Sequence, residues 1–187
     1  MRQRTVLITG CFKGGLGDAI ARALHQRGLR VIATARNPAK MAHFREQGIE
    51  TLTLDVLSPA SISMCVAAVA EKTGGGCVTQ IVRAEPFVPL LLKSEHGAII
   101  ANNTSLASVV PMPMGGIYNA RKAATAMLTD NLRLELSPFN IKVVDLKTGA
   151  VKTPFFNNQI GGAKPSVRVE GRGSRVSRSE GLHYMLR

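Results

Sequence analysis

The 187-residue sequence contains no tryptophan, and aromatic residues make up only 4% of it. A core must therefore be built mainly from Ala, Val, Ile and Leu, which is the composition of helices packed on a parallel sheet. The three cysteines, Cys11, Cys65 and Cys77, have neither metal-site spacing nor the even number that a disulfide framework needs. Their pattern is typical of a protein from a reducing compartment.

The sequence also lacks the hydrophobic segments that direct a chain to a membrane. Its basic start, MRQR, is followed only by TVLIT before Gly10, which is too short for a signal peptide. The longest apolar candidate, FVPLLL, is far below membrane-spanning length. A soluble, cytoplasmic protein of one domain is the expectation for a chain of this length with a hydrophobic share of 45%.

Negative charge is scarce, since 24 Lys and Arg stand against 12 Asp and Glu, giving a net charge of +12. Such an excess raises the question of a nucleic-acid partner. The basic residues are spread along the chain, however, and no aromatics alternate with them as they would on a stacking platform for single strands. We therefore expect no nucleic-acid partner and favour an anionic small molecule.

Strand and helix patterns alternate three times in the first part of the chain. Short apolar, β-branched runs predict strands, and runs with apolar residues at four-residue spacing or with clear caps predict helices. The predicted strands are residues 4–9, 30–35 and 50–56, and the predicted helices are residues 14–28, 37–48 and 58–76. This alternation predicts an α/β fold with a Rossmann-type, doubly wound parallel sheet and right-handed crossovers.

The second part of the chain is less regular. The patterns predict a strand at 78–84, the shortened end of a helix at 85–97, a strand at 98–103, a long helix from about residue 117 to 136, and a strand at 141–149. From Gly161 the periodicity disappears, and Gly, Ser and Arg dominate. We predict one α/β domain over residues 1–160, followed by a disordered basic tail over residues 161–187.

A glycine-rich turn, TGCFKGGLG, connects the first predicted strand to the first helix. Its glycines are Gly10, Gly14, Gly15 and Gly17. They let the chain turn tightly and bring backbone N–H groups close to a pyrophosphate, where the helix N-terminus adds partial positive charge. The turn therefore predicts a dinucleotide site, and the alternative is a structural turn without a ligand.

Charged residues near this turn indicate which dinucleotide it binds. Arg36 follows the second predicted strand where an NAD-binding chain usually has an acid, and Lys13 adds a positive charge inside the turn. A guanidinium pairs with a 2′-phosphate and offers no acceptor to a 2′-hydroxyl, so NADP is favoured. The alternative for both is simple solvation. Asp55 lies at the C-terminal end of the third predicted strand and either accepts a hydrogen bond from an adenine amino group or caps the next helix.

A candidate catalytic set follows the strand at 98–103. Tyr118 and Lys122 are four residues apart on the predicted long helix and share a face, and Ser105 lies just past the strand. A nearby ammonium favours the phenolate, so the tyrosine could exchange a proton with a carbonyl or alcohol near neutral pH. Taken alone, the Tyr–Lys spacing is also that of an ordinary helix surface pair. The serine and the glycine turn make the combination specific.

The chain resembles the classical short-chain dehydrogenase/reductase family, especially fungal members related to 1-acyldihydroxyacetone-phosphate reductases. The resemblance rests on TVLITGCFKGGLGDAIARAL, VIATARNPAKM, TLDV, NNTSLASVVPMPMGGIYNARKAA and LRLELSPFNIKVVDLKTGAVKTPFF. It implies an NADP-dependent oxidoreductase acting on a small carbonyl or alcohol, with catalytic Ser105, Tyr118 and Lys122. The implied or predicted cofactor contacts are Gly10, Lys13, Gly15, Leu16, Gly17, Arg36, Asp55, Tyr118, Lys122, Val151 and Thr153. The helix with the Tyr–Lys pair is implied as a pairing surface of a homo-oligomer.

The sequence departs from the family pattern in its middle and at its end. The N-N-A-G motif is missing and IVRAE stands in its place, so we predict a deletion of several tens of residues between about Ala84 and Phe87 that removes the catalytic asparagine. Thr148 stands where proline is usual, and the substrate-binding region is replaced by the basic tail. The alternative function is therefore a catalytically impaired relative that binds NADP or a protein partner without turnover.

Overall fold

The structure is a computed structural model that describes residues 4–74, 78–80, 85–94, 97–113 and 115–151. Within these ranges, one parallel sheet has the strand order β3-β2-β1-β4-β5-β6. The strands are β1 (Thr5–Ile8), β2 (Arg30–Ala35), β3 (Glu50–Thr53), β4 (Val78–Gln80), β5 (Ala98–Asn103) and β6 (Ile141–Leu146). The strand order reverses between β1 and β4, which confirms the predicted doubly wound sheet of Rossmann type.

The helices lie where caps and apolar spacing predict them. They are α1 (Leu16–Gln26), α2 (Pro59–Thr73), α3 (Val88–Leu92) and α4 (Gly116–Leu136). At the start of α2, the Ser58 hydroxyl accepts the N–H of Ser61, and Gly74 ends the helix in the left-handed conformation with φ 61°. These are the N-terminal cap and glycine stop that the sequence predicts.

The segment after β2 is a 3₁₀-helix, Pro38–Gln47, where an α-helix was the simplest expectation. Asn37 caps it by accepting the N–H of Ala39, and Gly48 ends it with φ 71°. Its two buried residues, Met41 and Phe44, are three positions apart. A 3₁₀-helix has three residues per turn, so this spacing puts both side chains on the face that packs on the sheet.

Alternate residues of β1 supply two cores on opposite faces of the sheet. Val6 and Ile8 pack toward α1 and the 3₁₀-helix, while Leu7 packs toward α2. The first core contains Val6, Ile8, Cys11, Ala21, Val31, Ala33, Ala35, Met41, Phe44 and Ile49. The second contains Leu7, Ile32, Leu54, Ile62, Cys65, Val69, Phe87 and Leu90. Burial on both faces explains why these strands are continuously apolar.

The second half of the sheet carries less covering structure among the residues that the structure describes. In that part of the chain, the segment between β4 and β5 supplies the short 3₁₀-helix Glu85–Phe87 and α3. A third core joins α3 and α4 to β5 and β6 through Leu91, Ala98, Ile100, Leu136, Ile141 and Val143. On the opposite face of the same strands, Ile99, Val144 and Leu146 are 37–39% exposed. A short helix therefore lies within the predicted range 85–97, and one face of β5 and β6 is open to solvent within the described residues.

Two predicted strands end earlier than their apolar patterns. β3 stops at Thr53 because the Asp55 carboxylate accepts the N–H of Leu57 and turns the chain. β6 stops at Leu146, whose carbonyl accepts the N–H of Thr148. Residues 81–84 of the predicted fourth strand, Thr153 and the predicted tail lie outside the described residues. Among those that are described, no helix is long and apolar enough to cross a membrane.

Candidate active site

The glycine turn brings the end of β1 into contact with the start of α1. Gly10 has φ 71°, a left-handed conformation that favours glycine. A Cβ on Gly17 would lie 2.8 Å from the carbonyl oxygen of Gly10, so a larger residue there would push the helix away from the strand. Gly15 precedes Leu16, the first residue of α1, and supplies no side-chain cap. The first-turn N–H groups of α1 could therefore bind an anion.

Asp18 lies beneath this turn, and the sequence analysis did not single it out. Its side chain is 4% exposed and accepts hydrogen bonds from Gly14 N (2.8 Å), Arg22 Nε (3.0 Å) and His43 Nε2 (3.1 Å). Burial raises the pKa of Asp18, but these hydrogen bonds outweigh it and hold the pKa below its ordinary value. Asp18 thereby connects the glycine turn to α1 and to the 3₁₀-helix after β2. The Asp18/Arg22 spacing of four residues was the available signal.

The predicted phosphate-binding cations, Lys13 and Arg36, follow the carboxyl ends of the neighbouring strands β1 and β2. The N–H of Cys11 donates to Thr34 O (2.9 Å), and the N–H of Lys13 donates to Lys40 O (3.3 Å), which brings the glycine turn beside the end of β2. Lys13 and Arg36 are both exposed there. Their charges could therefore bind a phosphate held between the turn and the segment after β2.

Asp55 is engaged locally at the end of β3. Its Oδ1 accepts the N–H of Leu57 (3.0 Å), and its own N–H donates to Ser61 Oγ (2.9 Å). The N-cap of α2 is Ser58 and not Asp55. The Asp55 side chain instead stabilises the turn that precedes the helix. The half-buried Asp55 remains at the carboxyl edge of the sheet, where ligands bind in such folds.

The candidate catalytic residues come from the end of β5 and the start of α4. Lys122 Nζ lies 5.9 Å from the ring centroid of Tyr118 and donates a hydrogen bond to Asn103 O (3.1 Å). Two residues after Asn103, Ser105 Oγ accepts the N–H of Ala107 (3.2 Å) and caps a short 3₁₀-helix, Leu106–Ser108, that packs on α4. All three candidate side chains are half-buried.

The loop after β6 completes the carboxyl edge. Thr148 Oγ1 lies 3.1 Å from Asn103 Oδ1 and 3.2 Å from Thr104 O, and the carbonyl of Thr148 accepts the N–H of Leu106 (3.0 Å). Val151, a predicted cofactor contact, is exposed in this loop. The sequence showed Thr148 only as a departure from the usual proline, and its partners became visible only in the structure.

The parallel sheet, its order and the glycine turn define the class of Rossmann-type α/β proteins. A family model described as short chain dehydrogenase matches residues 4–82 and 76–162. A short-chain dehydrogenase/reductase of Pestalotiopsis microspora is 40% identical, over 84% of this chain and 62% of its own length. The chain belongs to the short-chain dehydrogenase family.

Two further comparisons agree with this assignment. An NADPH-dependent 1-acyldihydroxyacetone phosphate reductase of Schizosaccharomyces pombe is 32% identical, over 85% of this chain and 64% of its own length. The solved structure of an alcohol dehydrogenase from the archaeon Thermococcus sibiricus, complexed with 5-hydroxy-NADP, has a TM-score of 0.72 at 26% identity and matches 87% of this chain and 81% of that one. The chain thus spans under two thirds of the length of these two curated relatives.

Proposed function

We propose that the protein is an NADP(H)-dependent oxidoreductase that interconverts a carbonyl and an alcohol, with Ser105, Tyr118 and Lys122 as its catalytic residues. The position of Lys122 carries the proposal. Its ammonium lies near the Tyr118 ring and donates to the carbonyl of Asn103, the last residue of the strand that leads into Ser105. An ammonium, a phenol and a hydroxyl are thus supplied by neighbouring elements at the edge where ligands bind.

Each residue has a distinct role in this mechanism. In the reducing direction, the Tyr118 hydroxyl donates a proton to the substrate oxygen, and the positive charge of Lys122 favours the phenolate that remains. Ser105 accepts from Ala107 through a lone pair, so its own proton can be donated to the same substrate oxygen. NADPH, when bound, would supply the hydride for the carbonyl carbon.

The residues at the β1 and β2 ends fit an NADP molecule. The close approach of Gly17 to Gly10 keeps the N-terminus of α1 near the turn, where backbone N–H groups could bind the pyrophosphate. Lys13 and Arg36 would pair with the 2′-phosphate. The relatives support this choice, since one is named an NADPH-dependent reductase and another was solved with 5-hydroxy-NADP. Leu16, Asp55, Val151 and Thr153 are proposed as further contacts.

Oxidation of NADPH against a panel of carbonyl compounds tests the proposal. The panel includes an acyl-dihydroxyacetone phosphate and ketones of the kinds found in fungal secondary metabolites. We expect Tyr118→Phe to lower turnover by about 10²- to 10⁴-fold, because the proton donor is lost, while NADPH binding is kept. Tyr184→Phe, which changes the only other tyrosine of the sequence, is the control and should keep wild-type turnover. Equal rates for wild type and Tyr118→Phe would exclude the mechanism.

A second candidate function is NADP or partner binding without turnover. Two observations favour it. The family model matches in two pieces, 4–82 and 76–162, and the alignment to the Pestalotiopsis relative runs over 183 positions while covering only 84% of this chain. Both support the proposed deletion near Ala84. Fluorescence titration with NADPH distinguishes the two functions, because saturable binding with no oxidation across the carbonyl panel supports the binding-only protein.

A further inference from the structure

We propose that Thr148 is a positioning residue that holds Ser105 and, through Asn103, Lys122 in their working geometry. This inference rests on the proposed function, since it assigns a role to a residue that supports the same site. Thr148 touches neither reacting side chain. It contacts the backbone next to Ser105, and it contacts Asn103, whose carbonyl anchors Lys122.

Thr148 forms hydrogen bonds to the backbone on both sides of Ser105. Its hydroxyl lies 3.2 Å from the carbonyl oxygen of Thr104, the preceding residue, and its carbonyl accepts the N–H of Leu106, the following residue, at 3.0 Å. The peptide units before and after Ser105 are therefore both tied to one residue of the β6 loop. Because its backbone is fixed on both sides, the Ser105 hydroxyl is held in a restricted range of orientations toward the substrate.

The same hydroxyl reaches the residue that anchors Lys122. Thr148 Oγ1 lies 3.1 Å from Asn103 Oδ1, so its single proton is shared between Asn103 and Thr104. The Asn103 carbonyl accepts from Lys122 Nζ (3.1 Å), and the N–H of the same peptide unit, that of Thr104, donates to Leu146 O (3.0 Å). The lysine is therefore anchored to a peptide unit that the last residue of β6, two positions before Thr148, fixes from the other side.

Burial strengthens this network. Thr104 is 1% exposed, its hydroxyl donates a hydrogen bond to Asp145, and its carbonyl accepts one from the Thr148 hydroxyl. The Thr148 hydrogen bonds are part-buried, and a carbonyl with little access to water that loses its donor is left unsatisfied unless the backbone shifts. Removing only the Thr148 hydroxyl should therefore move the Ser105 loop and loosen the Lys122 anchor without changing the core.

Three variants of the full chain test the proposal. Thr148→Val removes the hydroxyl and keeps the shape, and Thr148→Ser keeps the hydroxyl. Thr125→Val removes an α4 hydroxyl that donates to Arg121 O within its own helix. Two readouts are measured for each. The first is kcat, KM and NADPH binding, and the second is acetylation of Lys122 by acetic anhydride, determined by mass spectrometry relative to the exposed Lys142.

We expect Thr148→Val to lower kcat by about tenfold, as a misplaced catalytic group does. KM and NADPH affinity should change much less, because most of the proposed NADP contacts lie at the ends of β1, β2 and β3, away from Thr148. Acetylation of Lys122 relative to Lys142 should rise by about threefold when its anchor weakens. Thr148→Ser should restore both values, and Thr125→Val should change neither. This combination supports positioning, because a general loss of stability would also weaken NADPH binding.

Two results would overturn the proposal. One is unchanged Lys122 acetylation in Thr148→Val, and the other is an equal effect of Thr148→Val and Thr148→Ser. The acetylation readout needs no turnover, so it separates this proposal from the proposed function. If the wild type oxidises no NADPH while Thr148→Val still raises acetylation of Lys122 and Thr148→Ser does not, the catalytic function fails and the positioning of Lys122 stands.

Discussion

Within the described residues, the two halves of the sheet differ in how completely they are covered. In residues 4–74, α1 and a 3₁₀-helix pack on one face of the sheet formed by β1, β2 and β3, and α2 packs on the opposite face. In the part from 85 to 151, α4 and the five-residue α3 supply the main packing. Of the large apolar side chains exposed in the described chain, only Leu57 and Met64 lie in the first half.

This difference separates the proposed phosphate-binding residues from the proposed catalytic residues. The glycine turn, Lys13 and Arg36 belong to the well-packed half, whereas Ser105, Tyr118 and Lys122 belong to the half with exposed apolar surface. A site built on the second half depends more on local hydrogen bonds, such as those of Thr148, than on a deep core. We therefore expect nucleotide binding to tolerate changes that abolish turnover, and the following predictions test that separation.

A matched pair of leucine substitutions should show the largest effect. Leu7 in β1 is 0% exposed and Leu91 in α3 is 1% exposed, so both are fully buried. Leu→Ala in a core costs about 2–5 kcal/mol, and the cost falls where the surroundings can collapse into the cavity. We expect about 4 kcal/mol for Leu7→Ala and about 2 kcal/mol for Leu91→Ala, because α3 is one short turn. Urea unfolding measures both, and equal losses would contradict the contrast between the halves.

Removal of the Arg36 charge should weaken the binding of NADPH. Loss of a charge-assisted hydrogen bond to phosphate costs about 1.5–3 kcal/mol, so Arg36→Ala should weaken NADPH binding by about 10- to 100-fold. NADH, which has no 2′-phosphate, should bind the variant and the wild type alike. Fluorescence titration measures both affinities. Arg27→Ala, at the opposite end of α1, is the control, and an equal loss for NADH would contradict the assigned role.

The sequence was sufficient for the features that rest on local pattern. The order of elements and the glycine turn come from short-range spacing, and the helices and strands were found with their boundaries shifted by a few residues. The Ser105, Tyr118 and Lys122 set comes from short-range spacing and the family resemblance together, and its catalytic role stays a prediction. The 3₁₀ geometry of Pro38–Gln47 was not predicted, since apolar residues three apart fit one turn of either helix type.

The supporting network was beyond sequence reasoning because its partners are distant along the chain. Asp18 meets His43 across 25 positions, and Thr148 meets Asn103 across 45. No periodicity connects such residues. The packing of α1 beside the 3₁₀-helix brings the first pair together, and the pairing of the parallel strands β5 and β6 brings the second pair together. The residues that perform a proposed step were therefore visible in the sequence, while those that hold them in place were not.

Acid sensitivity should also differ between the halves. Asp18 has a lowered pKa in the folded protein, so its stabilising contribution is present above its unfolded pKa and is lost as pH falls through its folded pKa. We expect Asp18→Asn to reduce the free energy of unfolding by about 2 kcal/mol at pH 7. The difference from wild type should shrink as pH falls from 5 to about 2.

Asp145 is the comparison in the second half. Burial raises its pKa, but Lys147, Thr104 and Arg133 lower it more, so the direction is the same. Lys147, its cationic hydrogen-bond partner, is 39% exposed, and solvent screens that pair. Asp145→Asn should therefore change the dependence of the unfolding free energy on acidic pH less than Asp18→Asn does. Urea unfolding at several pH values measures the effect of both variants. A larger effect of Asp145→Asn would contradict the prediction that the first half is the more sensitive to acid.

The smallest expected effect on subunit stability concerns the outer face of α4, the predicted pairing surface of a homo-oligomer. Leu134 on α4 is 75% exposed, and Leu57 in the first half is 76% exposed, so the two leucines are matched in exposure. Each change to Glu should alter the unfolding free energy by less than about 0.5 kcal/mol, as surface substitutions do. Only Leu134→Glu lies among other exposed apolar residues of the same helix, Ile117, Met127 and Leu128, that a second copy would cover. We therefore expect sedimentation to show wild type and Leu57→Glu as oligomers and Leu134→Glu as a monomer, whereas identical sedimentation of all three would exclude α4 as the contact.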